Sequence, residues 1–458
     1  MKKYQDFFQD KKITVMGLGL LGRGVGDAEY IVEAGAAEVI VTDLKTEAEL
    51  HESFNRLKDF PNITFVLGEH RNEDFVDRDF ILVAAGVPQA SPYLKVAQGV
   101  GVPLKQSAAL FAELAKIPII GVTGTRGKST VTQMIHHVLS YTTGEEILLG
   151  GNIRGVSNLQ LLKQVKENSL CVMELDSWQL QGWGWDQRSP QIAVFTNFME
   201  DHLNYYQAAG ATKKAAMTQY FADKANIFRY QDDGGVFITT PEVFQLAEAY
   251  ASELGITIGQ EVILADSSVI PEDCLLAMPG EHNRLNAALA YEALKATSLS
   301  DEMIFEGLAT FPGVEGRLQL VKTVDNVRIY NDNNATTPQA TTAALEALDV
   351  GNHNIILIAG GADKDIPLDD LTTAVATHCT QVILIPGTGT DRLQNELQNL
   401  SINRKVLQAD TLAAALEEAR LVAEPADIIL FSPAFASFGQ YQNEYERNDE
   451  FMNLVTAL

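Results

Sequence analysis

Gly121-Val-Thr-Gly-Thr-Arg-Gly-Lys-Ser-Thr130 is the stretch on which the reading of the chain turns. An apolar run, Ile117 to Val122, leads into it and predicts a short buried strand. A helical pattern leaves it at Lys128, with Val131, Met134, Ile135, Val138 and Leu139 on one face. Strand, glycine-rich turn, Lys-Ser and helix together describe a phosphate cradle. Glycine lets backbone N–H groups approach phosphate oxygens, and the helix N-terminus adds a favourable dipole. Lys128 supplies a point charge for the outer phosphates, and the Ser129 hydroxyl is a ligand for Mg²⁺. The common pattern asks for glycine five residues ahead of Gly127, where this chain has Val122. The match is therefore to a variant, Thr-Gly-Thr-x-Gly-Lys-Ser-Thr. The plainer alternative, a turn with an incidental lysine, leaves the flanking strand and helix without a purpose.

The 458 residues suffice for about three domains of ordinary size. Hydrophobic and charged shares of 46% and 21% are those of a globular protein, without a disordered or fibrous signature. The net charge of −26 argues against nucleic acid or an anionic membrane as partner, since both need a basic footprint. Cys171, Cys274 and Cys379 are scattered and lack metal-ligand spacing, which predicts reduced thiols, Cys171 in the core. The first residues contain no apolar leader, and no stretch is long enough to span a bilayer, so a cytoplasmic enzyme is expected.

Ahead of the phosphate cradle, Ile13-Thr-Val-Met-Gly-Leu-Gly-Leu-Leu-Gly22 carries a full G-x-G-x-x-G after a strand. A helix follows through Ile31 to Ala34, and a second strand, Glu38 to Thr42, ends at Asp43, about where a Rossmann unit places its ribose contact. Three readings stay open here: a dinucleotide cofactor, another nucleotide diphosphate, or glycines that only permit close strand–helix packing. Further strands at Ile63 to Leu67 and Phe80 to Ala85 lead to the turn Ala-Gly-Val-Pro88, and the first unit ends around Lys105.

Beyond the cradle, Ile147-Leu-Leu-Gly-Gly-Asn152 and Leu170-Cys-Val-Met-Glu174 predict strands, the second ending in a carboxylate. Ile192 to Asn197 is a third, followed by Phe-Met-Glu-Asp-His202. Glu174 and His202 would thus reach one sheet edge near Lys128, as further divalent-metal contacts would. The alternative for His202 is an ordinary polar loop residue. Asn283 and Asn286 share a face near the start of a helix running through Leu294, where amides could read a base or ribose; capping is the competing reading. From Arg317 onward, strands at Val327–Asn331, Asn354–Ala359, Gln381–Ile385, Lys405–Gln408 and Asp427–Phe431 alternate with helices. That alternation predicts a mostly parallel sheet covered on both faces. Polar turns follow at Asp332 to Thr337, Gly360 to Lys364 and Ser432 to Ser437, where a substrate site is expected.

These units in this order resemble the Mur ligase family over nearly the whole chain. The resemblance is carried by Thr123 to Thr130, Glu174-Leu-Asp-Ser-Trp-Gln-Leu180, Asn197 to His202 and Gly280-Glu-His-Asn-Arg-Leu-Asn286. It continues in Gly316-Arg317, Tyr330 to Thr337, Gly360 to Lys364 and Ser432 to Phe438. It implies an α/β protein of three domains: a Rossmann-like N-terminal domain (1–105) for a UDP-linked substrate, a central P-loop-type mononucleotide-binding domain (106–312) and a C-terminal Rossmann-like domain (313–458). It also implies ATP-dependent amide bond formation in peptidoglycan synthesis by a monomer. The carboxylate of UDP-N-acetylmuramoyl-L-alanine would become an acyl phosphate, attacked by the amine of D-glutamate.

Residue by residue, the resemblance places ATP on Gly124, Thr125, Arg126, Gly127, Lys128, Ser129 and Thr130, with Asn283, Asn286, Arg317 and Asp332 around adenosine. Ser129 and Glu174 would hold one Mg²⁺. His202 and Lys224, the latter as a carbamate, would hold a second; with Lys128 these are the catalytic candidates. Ala222-Asp-Lys-Ala-Asn-Ile-Phe228 marks Lys224, for which a solvated surface lysine is the alternative; Lys213 and Lys214 lack that flanking pattern. The UDP substrate would meet Gly19, Leu20, Leu21, Asp43, Asn152 and Ser177, and D-glutamate Thr336, Lys364, Ser437 and Phe438.

Departures from the family pattern are Arg126 for a common Asn, Leu21 for Thr, Asn334 for Lys and Glu444 for Phe. The last two bear on which amino acid is joined. Competing functions are a ligase for another amino acid or a folate tail, a nicotinamide-dependent oxidoreductase built on Gly17 to Asp43, and a non-catalytic nucleotide-binding regulator. The second leaves the phosphate cradle unexplained, and the third has no need of Glu174 and His202.

Overall fold

The computed structural model describes residues 2–19, 22–207, 212–349, 351–399 and 405–458. It is a mixed α/β protein built on three sheets, parallel but for one edge. The chain divides into two compact units, 1–270 with 286–307 and 271–285 with 308–458.

The first unit holds two of the sheets. One runs, in spatial order, Ile63–Leu67, Glu38–Asp43, Lys12–Met16, Phe80–Val83 and Leu104–Lys105. The other runs Glu261–Leu264, Val236–Thr239, Ile192–Phe195, Ile119–Thr123, Cys171–Glu174 and Leu148–Gly151. Every residue of Ile119–Thr123, Cys171–Glu174 and Ile192–Phe195 is buried, which is why these strands read as continuous apolar runs and not as alternations. Both sheets share one core, in which Phe111, Leu159, Trp183 and Phe195 pack together with Val15 and Tyr30.

Each sheet reverses its winding beside a glycine-rich turn. From Lys12–Met16 the chain proceeds to strands on one side, then returns to Phe80–Val83 on the other; the turn at Gly17–Gly19 opens into that switch point. Ile119–Thr123 is likewise flanked by Cys171–Glu174 and Ile192–Phe195. Crevices at such switch points are where open parallel sheets bind ligands.

The second unit contains the sheet Gln319–Val324, Val327–Asn331, Ile428–Phe431, Ile355–Ala359, Cys379–Leu384 and Lys405–Gln408. Its faces are covered by separate apolar clusters, one around Leu345, Leu357 and Phe435, the other around Ile358, Leu416 and Phe451. The predicted strands of this region are present, with ends shifted by at most two residues, and helices alternate with them. The antiparallel edge strand Gln319–Val324 and the helix Glu444–Thr456 are additions to the predicted elements. The strand predicted to reach Ala85 stops at Val83. Among the described residues, no helix is long and apolar enough to cross a membrane, and all three cysteines are free and buried.

Candidate active site

The phosphate loop is shaped by its two positive-φ glycines. Gly124 has φ 144° and Gly127, at the N-cap of the helix Lys128–Thr143, has φ 79°. A Cβ on Gly124 would collide with the Thr196 hydroxyl, and one on Gly127 would lie 2.6 Å from the Asn286 side-chain oxygen. The loop is also pinned from the neighbouring strand exit. Asn197 O accepts from the Thr125 amide (2.9 Å), Asn197 Oδ1 accepts from the Arg126 amide (2.8 Å), and Asn197 Nδ2 donates to Arg126 O (3.1 Å). Thr196 Oγ1 donates to the same carbonyl. The backbone of Arg126 is thus fixed while its side chain is exposed. Lys128 Nζ donates to Thr125 O at 3.0 Å, curling back over the loop.

Lys224 sits under this loop, not on the surface. It lies in the helix Lys213–Ala225, is 1% exposed, and its Nζ donates to Gly124 O (2.7 Å) and Thr123 Oγ1 (3.4 Å), 4.9 Å from the Tyr220 ring centroid. Burial first, then the Lys128 charge, push its ammonium well below the usual lysine range, against the pull of Asp176, Asp201 and Asp223. Its proton is thus held less tightly than that of a solvated lysine. Its neighbour Asp223 is anchored by Gln181 Nε2 (2.8 Å), Tyr206 OH (2.9 Å) and Gln219 Nε2 (3.1 Å), and burial raises its carboxyl to about 6.

Glu174 ends its strand in register with Val122 and is 4% exposed. Its main-chain oxygen accepts from the Asn152 amide (2.7 Å), and Oε1 accepts from Asn152 Nδ2 (3.3 Å). Asn152 in turn accepts from Arg23 Nη1. His202 follows the Ile192–Phe195 strand in a left-handed conformation, φ 52°. Its ring centroid is 4.8 Å from that of Trp178 and 6.1 Å from that of Tyr220. Burial lowers the imidazole's affinity for a proton; Asp201 opposes this, and Lys128 and Lys224 add to it. A neutral imidazole is a metal ligand, and a buried carboxylate whose single side-chain hydrogen bond, among the described residues, is a long amide contact suits a cation. The Ser129 hydroxyl and the Glu174 carboxylate are oxygen donors of the kind Mg²⁺ takes. His202 adds a nitrogen donor, and Lys224, its proton affinity lowered by burial, is chemically suited to carry a carbamate whose oxygens would extend the set.

The Gly17–Gly19 turn lines a second cleft, with Arg23, Asp27, Ala84 and Gln106 among its walls. Asp43 lies beside it, but its carboxylate faces the loop backbone: Oδ2 accepts from Leu18 N (2.8 Å) and Gly19 N (3.4 Å), Oδ1 from Lys45 N (2.9 Å). Leu20 and Leu21 lie outside the described residues. Ser177 opens the helix Ser177–Trp185, whose N-terminus is closed by an Asp176–Gln179 capping box. Arg23, a cation directly after the G-x-G-x-x-G, is a wall residue that the motif alone does not single out; its position at the helix start is the one signal for it in the sequence.

In the second unit, Lys364 Nζ donates to Thr336 Oγ1 at 3.1 Å, so these two candidates do meet. Ser437 is buried and Phe438 is 63% exposed. Asp332 is buried, accepting from Ser432 Oγ (2.8 Å) and Leu318 N (3.0 Å); burial outweighs these bonds and the Arg317 charge and raises its carboxyl to about 7. Asn283 is buried with Nδ2 donating to Pro279 O (2.9 Å). Asn334 and Glu444 both adjoin Asn333, whose Nδ2 donates to Asn334 Oδ1 (3.2 Å) and Glu444 O (2.9 Å). Asn333 also accepts from the buried Arg447 (2.8 Å), a pairing across 114 residues that no local pattern signals.

Two family models match the chain. The Mur ligase middle domain matches residues 122–294, and the Mur ligase glutamate ligase domain matches residues 316–435. The chain is 34% identical, over 98% of both chains, to the UDP-N-acetylmuramoylalanine–D-glutamate ligase of Roseiflexus sp. (strain RS-1). It is 33% identical, over 99% of both, to the enzyme of that name from Geobacillus kaustophilus. Among solved structures it is similar in fold to the UDP-N-acetylmuramate-alanine ligase MurC of Thermotoga maritima (TM-score 0.59, 19% identity, 98% of this chain and 99% of that one). The MurF ligase of the same organism, in complex with ADP, gives a TM-score of 0.55 at 14% identity, over 98% and 95%.

Proposed function

The chain belongs to the Mur ligase family, and from that premise we propose that it joins D-glutamate to UDP-N-acetylmuramoyl-L-alanine, with ATP as the energy source, in peptidoglycan precursor synthesis. Full-length identity to relatives bearing that activity's name supports this reading. The structural observation that carries it is the buried Lys224, its proton affinity lowered, hydrogen-bonded to the phosphate loop, with the Tyr220 ring beside both it and His202.

In this reading the turn Gly124–Gly127 and the helix N-terminus at Lys128, Ser129 and Thr130 receive the ATP phosphates, and Lys128 balances charge on the transferring phosphoryl group. Ser129 and Glu174 would hold one Mg²⁺, and His202 with carbamylated Lys224 a second. Bound there, the ions neutralise the phosphoryl oxygens. The protein's own part is positional. Asn197 and Thr196 freeze the loop, Asn152 orients Glu174, and Trp178 and Tyr220 hold the His202 ring. The γ-phosphoryl group passes to the alanyl carboxylate, ADP leaves, and the D-glutamate amine displaces phosphate from the acyl carbon.

Residues 1–105 would take the UDP moiety at the Gly17–Gly19 cleft. Gly19, Leu20 and Leu21 would lie along the diphosphate, with Asn152 and Ser177 toward the muramoyl group, and Asp43 would act by fixing the loop N–H groups. Residues 106–312 would form the ATP domain, and 313–458 the amino-acid domain. Asn283, Asn286, Arg317 and Asp332 would serve adenosine; Thr336, Lys364, Ser437 and Phe438 would serve D-glutamate, Lys364 pairing a carboxylate. Phosphate release from ATP, measured with the muramoyl-alanine nucleotide and each of several amino acids, tests the proposal. Release that D-glutamate alone stimulates supports it; release indifferent to the amino acid defeats it.

A further inference from the structure

At the end of the second unit's sheet where Ile355–Ala359 begins, three side chains converge that the ligase reading does not use. Asp349 is the C-cap of the helix Pro338–Leu348, His353 lies in the loop that follows, and His378 is the last residue of the helix Asp369–His378. One carboxylate oxygen of Asp349 is fully engaged: Oδ1 accepts from the backbone N–H groups of Gly351 (2.9 Å), Asn352 (3.0 Å) and His353 (3.0 Å). That grip aims Oδ2 at both imidazoles, with His353 Nδ1 at 2.9 Å and His378 Nδ1 at 2.6 Å. The three ligand atoms lie within 4.8 Å of one another.

We propose that Asp349 Oδ2, His353 Nδ1 and His378 Nδ1 form a binding site for a Zn²⁺-class transition metal. Two imidazole nitrogens and one carboxylate oxygen are the donors such ions favour, whereas Mg²⁺ and Ca²⁺ prefer all-oxygen sets. The geometry is close to what is needed. Tetrahedral ligands about 2.1 Å from a centre stand roughly 3.4 Å apart, so a sub-ångström opening of the two Asp349 contacts, with the two ring nitrogens no more than 4.8 Å from each other, admits the ion. Each neutral ring then keeps its proton on Nε2, leaving Nδ1 as the ligand, and the exposed His353 edge leaves a fourth position for water. The metal would staple a helix end, a loop and a second helix end together. The five-residue strand Ile355–Ala359 separates it from the Gly360–Lys364 turn by roughly 17 Å, so the expected consequence is stability of this unit, not a change in turnover.

Zn²⁺ binding to the full-length protein, followed by competition with a chromophoric chelator in excess Mg²⁺, tests this. His353→Gln, His378→Gln and a control at the exposed His51, His51→Gln, are compared with the unaltered protein. Asp349 is left intact because its Oδ1 shapes the loop. The proposal expects one Zn²⁺ site whose Kd rises at least about tenfold in both His353→Gln and His378→Gln and is unchanged in His51→Gln, with Zn²⁺ raising the unaltered protein's Tm more than that of either variant. It also expects Co²⁺ to give a tetrahedral absorption band that both variants lose. Equal affinity in all four proteins, or loss in one histidine variant alone, overturns it.

Discussion

Lys224 Nζ lies 2.7 Å from the Gly124 carbonyl oxygen, so a buried lysine from the helix Lys213–Ala225 is bonded to the turn that opens the phosphate loop. Its lowered proton affinity favours the free amine, whose lone pair attack on CO₂ requires. Lys224→Ala is expected to lower kcat by about 10²–10³, with partial recovery on adding a short carboxylic acid. ¹³C-bicarbonate labelling checks the cause: the unaltered protein shows a carbamate resonance that Lys224→Ala lacks. Full activity in the variant removes Lys224 from the mechanism.

Gly127 tests the loop geometry. Its φ is 79°, and Asn286 Oδ1 lies 2.6 Å from where a Cβ would stand, so a side chain there would be strained in the backbone and would displace the Asn286 amide. Gly127→Ala is expected to cost about 1–2 kcal/mol of stability and to weaken ATP binding at least tenfold, read by denaturant unfolding and nucleotide titration. Unchanged ATP affinity would mean that phosphates do not sit against this turn.

Asp332 gives a pH signature. Its carboxyl is raised by burial to about 7 from an ordinary value of 3.8. Between those values the folded state binds more protons than the unfolded state, so this group's contribution to stability falls as pH rises from about 4 to 7. Asp332→Asn keeps an acceptor for Leu318 N and supplies a donor to Ser432 Oγ while removing the buried charge. The Tm of Asp332→Asn relative to the unaltered protein is expected to be more favourable at pH 8 than at pH 5, while KM for ATP rises. A Tm difference that is the same at both pH values contradicts the raised carboxyl.

Much of the fold and of the phosphate site is legible in the sequence alone, for a physical reason. Buried parallel strands such as Ile119–Thr123 are apolar throughout, and a loop needing positive φ at Gly124 and Gly127 writes those glycines into the chain. What escapes is whatever depends on chain segments meeting. Trp178 and Tyr220 flank His202 from two different helices. The edge strand Gln319–Val324, partly exposed along its length, shows no clean alternation. The helix Glu444–Thr456 buries Arg447 and Asn448 alongside Phe451 and Val455, so its inward face looks polar. Asp43 sits where a ribose contact belongs, yet it binds the backbone of Leu18 and Gly19, a choice no spacing rule reveals.

The most direct test of the central claim is the mass of the nucleotide product formed from UDP-N-acetylmuramoyl-L-alanine, ATP and Mg²⁺ with D-glutamate or L-glutamate. The expected result is a product heavier by one glutamyl residue with D-glutamate alone, formed in a one-to-one ratio with ADP and phosphate. A product containing another amino acid in a mixed pool, or ATP hydrolysis without any nucleotide gaining mass, would contradict it.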